Sequence, residues 1–365
     1  MKKISILSIL LFICATICAG EIKLVSPLNC TVPLLSEAQK QFFDMPIAER
    51  RTKYLDRQTR IQWIKTGSLP QAVEFVWQSD LAENCEFTLH LSADGVEKSY
   101  PVSGGRFQLI NLIPGAEYSW KISAKNCAGE TVGSAIGKFT TESGYPRLIG
   151  FGNLGNVRDL GGYTTIDGKK VKYDKIYRGR AFNDVSPDRK TTPGKMRVDD
   201  SIVAQVRPFG IKSDLELRSD GETAGMTNSS LGTDIKWCRT HGMDSYEKIL
   251  NASQQTRLAN IIRFLLNEDD YPFYIHCDGG RDRTGAISFL VLGALGASDE
   301  DIERDWQASA LFFSDLKQEC FDKFITALHE RYGEGSYSDM AKAYLREIGI
   351  TESEIEKLRE IMLDK

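Results

Sequence analysis

Histidine is scarce in this chain, with four in 365 residues. Neither the histidines nor the cysteines fall at metal-ligand spacings such as HExxH or paired CxxC. The sequence therefore offers no metal centre, and neither a metal nor another cofactor is expected. An excess of positive charge is also missing: the formal net charge is −4, which argues against broad binding to nucleic acid or anionic membrane. After residue 20 no apolar run is long enough to span a bilayer. What remains, 41% hydrophobic and 26% charged, is an ordinary globular composition with length for two domains.

Residues 1–20 stand apart. Lys2 and Lys3 precede an apolar stretch from Ile4 to Ile17, then Cys18-Ala19-Gly20. This has the form of a secretory signal peptide, with cleavage expected after Gly20 and a mature start at Glu21. A lipoprotein needs a small residue before its cysteine, but Ile13 precedes Cys14 and Ile17 precedes Cys18. A periplasmic or secreted protein without lipid anchor or stable membrane insertion is expected. Six cysteines then remain (Cys30, Cys85, Cys127, Cys238, Cys277 and Cys320), and in an oxidising compartment some should pair.

The most informative stretch is His276-Cys277-Asp278-Gly279-Gly280-Arg281-Asp282-Arg283-Thr284-Gly285. Before it, Tyr271 to Ile275 reads as a buried strand; after it, Thr284 to Leu295 reads as a buried helix. A strand, a glycine-containing loop and a helix N-terminus aim backbone N–H groups and the positive helix end at one point. Such a loop suits a tetrahedral oxyanion held by Asp278, Gly279, Gly280 and Arg281. It lacks the Gly-Lys-Ser/Thr ending of a nucleotide-binding loop. Cys277 there is expected as a thiolate, since comparable cysteines have pKa values of roughly 3.5 to 7.5 against about 8.5 for a free thiol. A thiolate attacks phosphorus and forms a covalent thiophosphate. Arg283, six residues on, has a planar fork that matches two phosphate oxygens. Thr284 can donate to the sulfur as it leaves, and His276 is read as structural support for the cysteine, not as a base. Oxidation of this thiol would switch the chemistry off.

HCDGGRDRTG resembles the HCxxGxxRTG signature of cysteine-dependent tyrosine and dual-specificity phosphatases. It is more narrowly similar to the bacterial branch reading HCxxGKDRTG, with Arg281 in the lysine's place. Asn156-Val157-Arg158-Asp159-Leu160-Gly161-Gly162-Tyr163, then Asp167-Gly168 and Ile176-Tyr177-Arg178, resembles that branch's NxRDLGGY opening, DG turn and LYRS-like strand. Asp214-Leu215-Glu216-Leu217-Arg218-Ser219 is similar to its IDLRS segment, and Asp305-Trp306-Gln307-Ala308-Ser309 to its DYxxS run. The resemblance covers 148–365 and implies a phosphomonoester hydrolase, foremost a protein-tyrosine or dual-specificity phosphatase. Asn156, Arg158 and Asp159 are thereby supporting residues, and Glu216 and Arg218 candidates for shaping the pocket. The resemblance also implies an aspartate that protonates the leaving group, a role contributing about 10²- to 10⁴-fold. Asp244, 33 residues before Cys277 in a loop-like run, ranks first; Asp282, assigned a catalytic part in the bacterial branch, ranks second.

For the substrate, Arg281 adds a cation beside the loop, whereas Asp278 opposes a dense polyanion. Like charges about 4 Å apart repel by roughly 4 kcal/mol at an effective dielectric of 20. A phosphotyrosine ester or singly phosphorylated headgroup is favoured; a phosphoinositide or inositol-phosphate phosphatase is the alternative. A catalytically silent phospho-ligand-binding module, a sulfurtransferase and an arsenate reductase are the readings from other classes.

The fold expectation is α/β: a mostly parallel sheet flanked by helices, as in dual-specificity phosphatases, preceded by a small all-β unit. Alternation at Ala72–Trp77, Glu86–Leu91, Arg106–Leu109, Tyr118–Ala124 and Gly137–Thr141, with Asp94-Gly95, Gly104-Gly105 and Pro114-Gly115 turns, places an immunoglobulin-like sandwich at 67–142. Trp77 and Leu112-Ile113-Pro114-Gly115-Ala116-Glu117-Tyr118 resemble the core tryptophan and LxPGxxY corner of a fibronectin type III module. That resemblance implies antiparallel neighbours whose ends bring Cys85 near Cys127, a candidate disulfide with Cys30 as competitor. A spacer or a docking platform for a partner is the expected role. Residues 21–66 read as a helical or irregular lead-in, and Asn183–Lys195 as a polar surface loop.

Overall fold

The computed structural model describes residues 20–53, 69–81, 84–152, 154–182, 200–313 and 316–365. The leader-like stretch up to Ala19 and the polar run Asn183–Lys195 lie outside the described residues. Two compact units divide the chain.

The first unit runs through Val32, then takes in Val73–Leu109 and Ala116–Thr140. Its strands are β1 (Ile22–Ser26), β2 (Thr31–Val32), β3 (Val73–Ser79), β4 (Glu86–Ala93), β5 (Val96–Val102), β6 (Arg106–Leu109), β7 (Glu117–Lys125) and β8 (Thr131–Thr141). They form a three-stranded sheet, β1-β3-β6, and a five-stranded sheet, β2-β8-β7-β4-β5. The β1–β3, β3–β6, β4–β5, β4–β7 and β7–β8 pairs are antiparallel. Alternation drives burial, with Val73, Phe75 and Trp77 inward on β3 and Tyr118, Trp120 and Ile122 inward on β7. Phe75 meets the edges of Trp120 at 5.2 Å and Phe139 at 5.7 Å, joining the two sheets.

Three strands of this unit escape sequence reading: β1 and the two-residue β2, both in the segment read as a lead-in, and β5. β1 starts the segment read as a lead-in, and its buried Ile22 and Leu24 pair it onto β3. β5 is an exposed edge strand of mostly polar residues; a tight turn with Asp94 (φ +50°) and Gly95 (φ +79°) fixes it. Cys85 and Cys127 are both free thiols. The Glu86–Lys125 register puts them at the same end of the β4–β7 ladder.

The second unit holds Pro33–Ala72, Ile110–Gly115 and Thr141–Lys365. Its described helices are α1 (Glu37–Asp44), α2 (Ile47–Lys53), α3 (Asp200–Val206), α4 (Ala252–Phe264), α5 (Asp282–Leu295), α6 (Asp299–Gln307), α7 (Gln318–Tyr332), α8 (Tyr337–Glu347) and α9 (Glu352–Met362). Its strands are β9 (Arg158–Asp159), β10 (Ile176–Gly179), β11 (Ser213–Glu216), β12 (Lys236–Arg239) and β13 (Phe273–His276), ordered β12-β11-β13-β10-β9. β12, β11, β13 and β10 are parallel, while β9 runs antiparallel to β10. The sheet is thus mixed at one edge. Residues 170–175 are not part of β10 as expected, because Lys170 and Val171 bridge to Thr164 and Leu363 instead.

The lead-in helices pack within this unit. Fully buried Arg50 donates to Phe43 O (2.9 Å) and Gln307 Oε1 (2.7 Å), and Arg51 pairs with Glu303 through two 2.7 Å bonds. Thr351 and Glu354 form a capping box that starts α9; Ser36–Gln39 and Ser336–Asp339 do the same for α1 and α8. Because four strands point one way, the loops after β10, β11, β12 and β13 all emerge at one edge of the sheet. In open α/β sheets, ligands bind beyond that carboxyl edge.

Candidate active site

The loop after β13 carries Cys277, which is 2% exposed, and feeds α5. Four successive carbonyls of this loop are each held from outside. Cys277 O accepts from His276 Nδ1 (3.2 Å), Asp278 O from Ala181 N (3.1 Å), Gly279 O from Asn156 Nδ2 (3.1 Å) and Gly280 O from Arg178 Nη2 (2.7 Å). In a trans peptide the N–H points opposite to its carbonyl. The N–H groups of Asp278, Gly279, Gly280 and Arg281 therefore face away from these partners, into the loop. Gly280 has φ +64°, and a Cβ there would lie 2.1 Å from Gly179 O, so no side chain fits. The helix end behind the loop adds further donors and a partial positive charge.

The outer partners are braced in turn. Arg158 and Arg178, both fully buried, share Asp305: Arg158 Nε donates to Oδ1 at 2.8 Å and Arg178 Nη1 to Oδ2 at 2.5 Å. Arg158 also holds Asn156 Oδ1 at 2.7 Å. Burial lowers the Arg178 pKa to about 10. Burial opposes the Asp305 charge as well, but the two guanidiniums keep its carboxyl below the ordinary range. Arg178 and Asp305 were noticed in sequence only as parts of motif-like runs. Asp159 is not brought to the loop; its carboxylate accepts from Arg147 (3.0 Å) and from two backbone groups that follow it, Gly161 N (2.8 Å) and Asp174 N (2.9 Å).

Beneath the loop, His276 Nε2 makes a 2.8 Å ion-pair contact with Asp214 Oδ1 and lies 3.7 Å from Glu216 Oε2. Glu216 is clamped by Arg218 at 2.9 Å and 2.6 Å. Burial alone would lower the His276 pKa; the Glu216 and Asp214 carboxylates outweigh it and lift it to about 9. A group raised in the folded state contributes stability fully below its unfolded pKa, about 6.5, and loses that contribution as pH rises through the folded value. Urea midpoints of the wild type are therefore expected to fall between pH 6.5 and 9 relative to those of His276→Gln. Parallel curves would remove the charged imidazole from the account.

Arg283, on the first turn of α5, forms a two-pronged pair with Glu222, each bond 2.8 Å. Glu222 also accepts from Ser219 N and Oγ, both at 2.8 Å. Burial opposes the charge on Glu222, yet the Arg283 and Ser219 bonds draw its pKa down to about 2. Sequence reasoning missed Glu222 because nothing in its local pattern marks it. Its signal is spatial, from the loop after β11 meeting the loop after β13. Thr284 Oγ1 is buried without a hydrogen bond from the described residues. Arg281 leans on Asp282 (2.9 and 3.1 Å) and on the Phe313 ring, 5.1 Å from its centroid.

Both candidate acids are placed at the same carboxyl edge. Asp244 is half-buried after β12, its Oδ2 accepting from Gln254 Nε2 at 3.0 Å; Met243 N binds Leu217 O at 3.1 Å. Asp282 accepts at Oδ1 from the Tyr246 hydroxyl and Arg281 Nε, and at Oδ2 from Arg281 Nη2. Among the described residues no group of histidine, cysteine, aspartate and glutamate could hold a metal, and no helix is long and apolar enough to cross a membrane.

Comparison with known proteins places this geometry. A tyrosine-protein phosphatase from Nostoc commune is 23% identical over 212 residues, covering 45% of this chain and 70% of that protein. A Cupriavidus necator protein named as a tyrosine-protein phosphatase is 23% identical over 177 residues, 42% of this chain and 60% of its own length. The chain thus spans less than two thirds of the Cupriavidus relative. The core catalytic domain of the PP-IP phosphatase SIW14 from S. cerevisiae aligns with a TM-score of 0.29 and 15% identity over 48% of this chain and 89% of that one; so low a score carries no weight. The model of the tyrosine phosphatase family matches residues 149–364, more than half of the sequence and all of the loops just described, and the chain belongs to that family.

Proposed function

We propose that this protein hydrolyses phosphomonoesters through a cysteinyl-phosphate intermediate, with phosphotyrosyl or similar protein esters as the first substrate class. The observation that carries the reading is the row of four outward-tied carbonyls after His276. It turns a cradle of N–H groups toward the space between Cys277 and Arg283. The Cys277 thiolate attacks phosphorus, the P–O bond to the leaving group breaks, and Asp244 gives that oxygen its proton. Water, deprotonated by Asp244, then attacks the thiophosphate; phosphate leaves and the thiolate returns. Arg283 and the cradle hold the equatorial oxygens, where preorganised donors matter most. Thr284 donates to the departing sulfur. His276, Asn156, Arg158, Glu216 and Arg218 act from behind by holding the loop.

Asp244 suits the acid better than Asp282, since both Asp282 oxygens are engaged while Asp244 Oδ1 carries no hydrogen bond from the described residues. Arg281 is committed to Asp282 and Phe313. That favours singly phosphorylated esters over phosphoinositides or inositol phosphates, which need extra free cations. We read the β unit as a fibronectin type III-like spacer or docking platform, its Cys85 and Cys127 thiols as a pair that an oxidising compartment would join, and the protein as periplasmic or secreted.

The test is phosphate release by reduced protein with chelator present, across an aryl phosphate, phosphotyrosyl and phosphoseryl peptides, phosphoinositides and phytate. Chelator-resistant turnover led by phosphotyrosyl peptide is expected. Asp244→Asn should slow it by about 10²-fold or more. Near-wild-type rates for that variant would move the acid to Asp282. No turnover on any ester would leave a phospho-ligand-binding module, and thiosulfate-dependent sulfur transfer a sulfurtransferase.

A further inference from the structure

Tyr246 follows the Asp244 loop and has φ +54°. For a bulky residue this left-handed conformation is an outlier, and such a backbone persists only where its surroundings over-determine it. The surroundings here are specific. The phenol donates to Asp282 Oδ1, and the ring meets Trp306 edge-on at 6.5 Å. Asp282 is the first residue of α5, one position before Arg283 and five after Cys277. His241 (φ +58°) and Gly242 (φ +100°) bend the same loop from its other side.

We infer that Tyr246 is a positioning residue for the reaction: its hydroxyl ties the loop carrying Asp244 to the phosphate-binding turn through Asp282, and so sets where the general acid stands. The inference rests on the reading of Asp244 as that acid. The geometry favours this role over plain packing. The ring packs without the hydroxyl, whereas the hydroxyl spans two catalytic segments that are otherwise far apart in sequence. Tyr246, two residues after Asp244, keeps this left-handed backbone while its hydroxyl reaches Asp282.

Tyr246→Phe keeps the ring and removes the tie. In the full chain it is expected to lower kcat/KM, which reports the step that expels the leaving group, about tenfold on phenyl phosphate, whose leaving group needs a proton. On 2,4-dinitrophenyl phosphate, whose leaving group departs as an anion, kcat/KM should stay within twofold. Asp244→Asn combined with Tyr246→Phe should be no slower than Asp244→Asn alone. Equal slowing of both esters, wild-type rates on both, or a full tenfold loss added to Asp244→Asn would each overturn the inference. If Asp244→Asn itself turns over phenyl phosphate at the wild-type rate, it is the acid assignment that fails. The two failures are thus distinguishable.

Discussion

Replacing Cys277 with serine is expected to reduce phosphate release by at least about 10³-fold on every ester while leaving phosphate binding nearly intact. Removing a nucleophile that acts as part of a unit forfeits most of the catalysis that unit supplies. A serine hydroxyl ionises far less readily than a thiol, so the donors around the loop do not generate an alkoxide. Nothing adjacent stands ready as a base, since the His276 ring sits on Asp214 and Cys277 O. The cradle does not involve the sulfur: its carbonyls are held by His276, Ala181, Asn156 and Arg178. Calorimetric titration with phosphate should therefore give similar affinities for Cys277→Ser and wild type. In wild type, rapid quenching with labelled substrate should trap label on protein; the variant should trap none. Substantial turnover by the variant would dismiss the thiophosphate route, and lost anion binding would mean the sulfur shapes the loop.

The second large effect is on stability. Asp305→Ala leaves Arg158 and Arg178 facing one another without their shared carboxylate, each fully buried. Breaking a buried pair costs about 3–5 kcal/mol because the remaining charge is uncompensated, a large part of the roughly 5–15 kcal/mol that holds a typical domain together. A drop in melting temperature on the order of 10 °C or more follows for a unit of this size. Loss of Arg178 from Gly280 O would also free the peptide that presents the Arg281 N–H, so the fraction that stays folded should bind vanadate more weakly. Asp305→Asn keeps acceptor oxygen without the charge and should fall between. A melting temperature unchanged by Asp305→Ala would mean the arginines find other partners at no cost.

The chemistry of this protein is legible in ten consecutive residues because the loop is local. A nucleophile, two glycines, an arginine and the start of a helix sit within a few bonds of each other, so chain geometry alone brings them together. Helix starts such as Thr351-x-x-Glu354 and the alternating strand Val73–Trp77 are legible for the same reason, since caps and pleats are decided by near neighbours. The edge strand Val96–Val102 was not legible, because exposed polar residues carry no alternation. Strand Ile22–Ser26 is short and gains its identity from pairing with Val73–Ser79, some fifty residues away. Glu222 on Arg283, Asp305 between two arginines and Tyr246 on Asp282 are equally non-local. Asp282 shows the difference most sharply: its sequence neighbours made it a candidate acid, and the tertiary fold engaged both its oxygens. By itself the sequence marked the candidate groups, the Cys277 sulfur and the Arg283 fork. Only the tertiary structure decided which carboxylates are free, which are spent on arginines and which side of the loop is tied down. Those outcomes depend on parallel strands delivering separate loops to one edge, and no local pattern encodes that meeting.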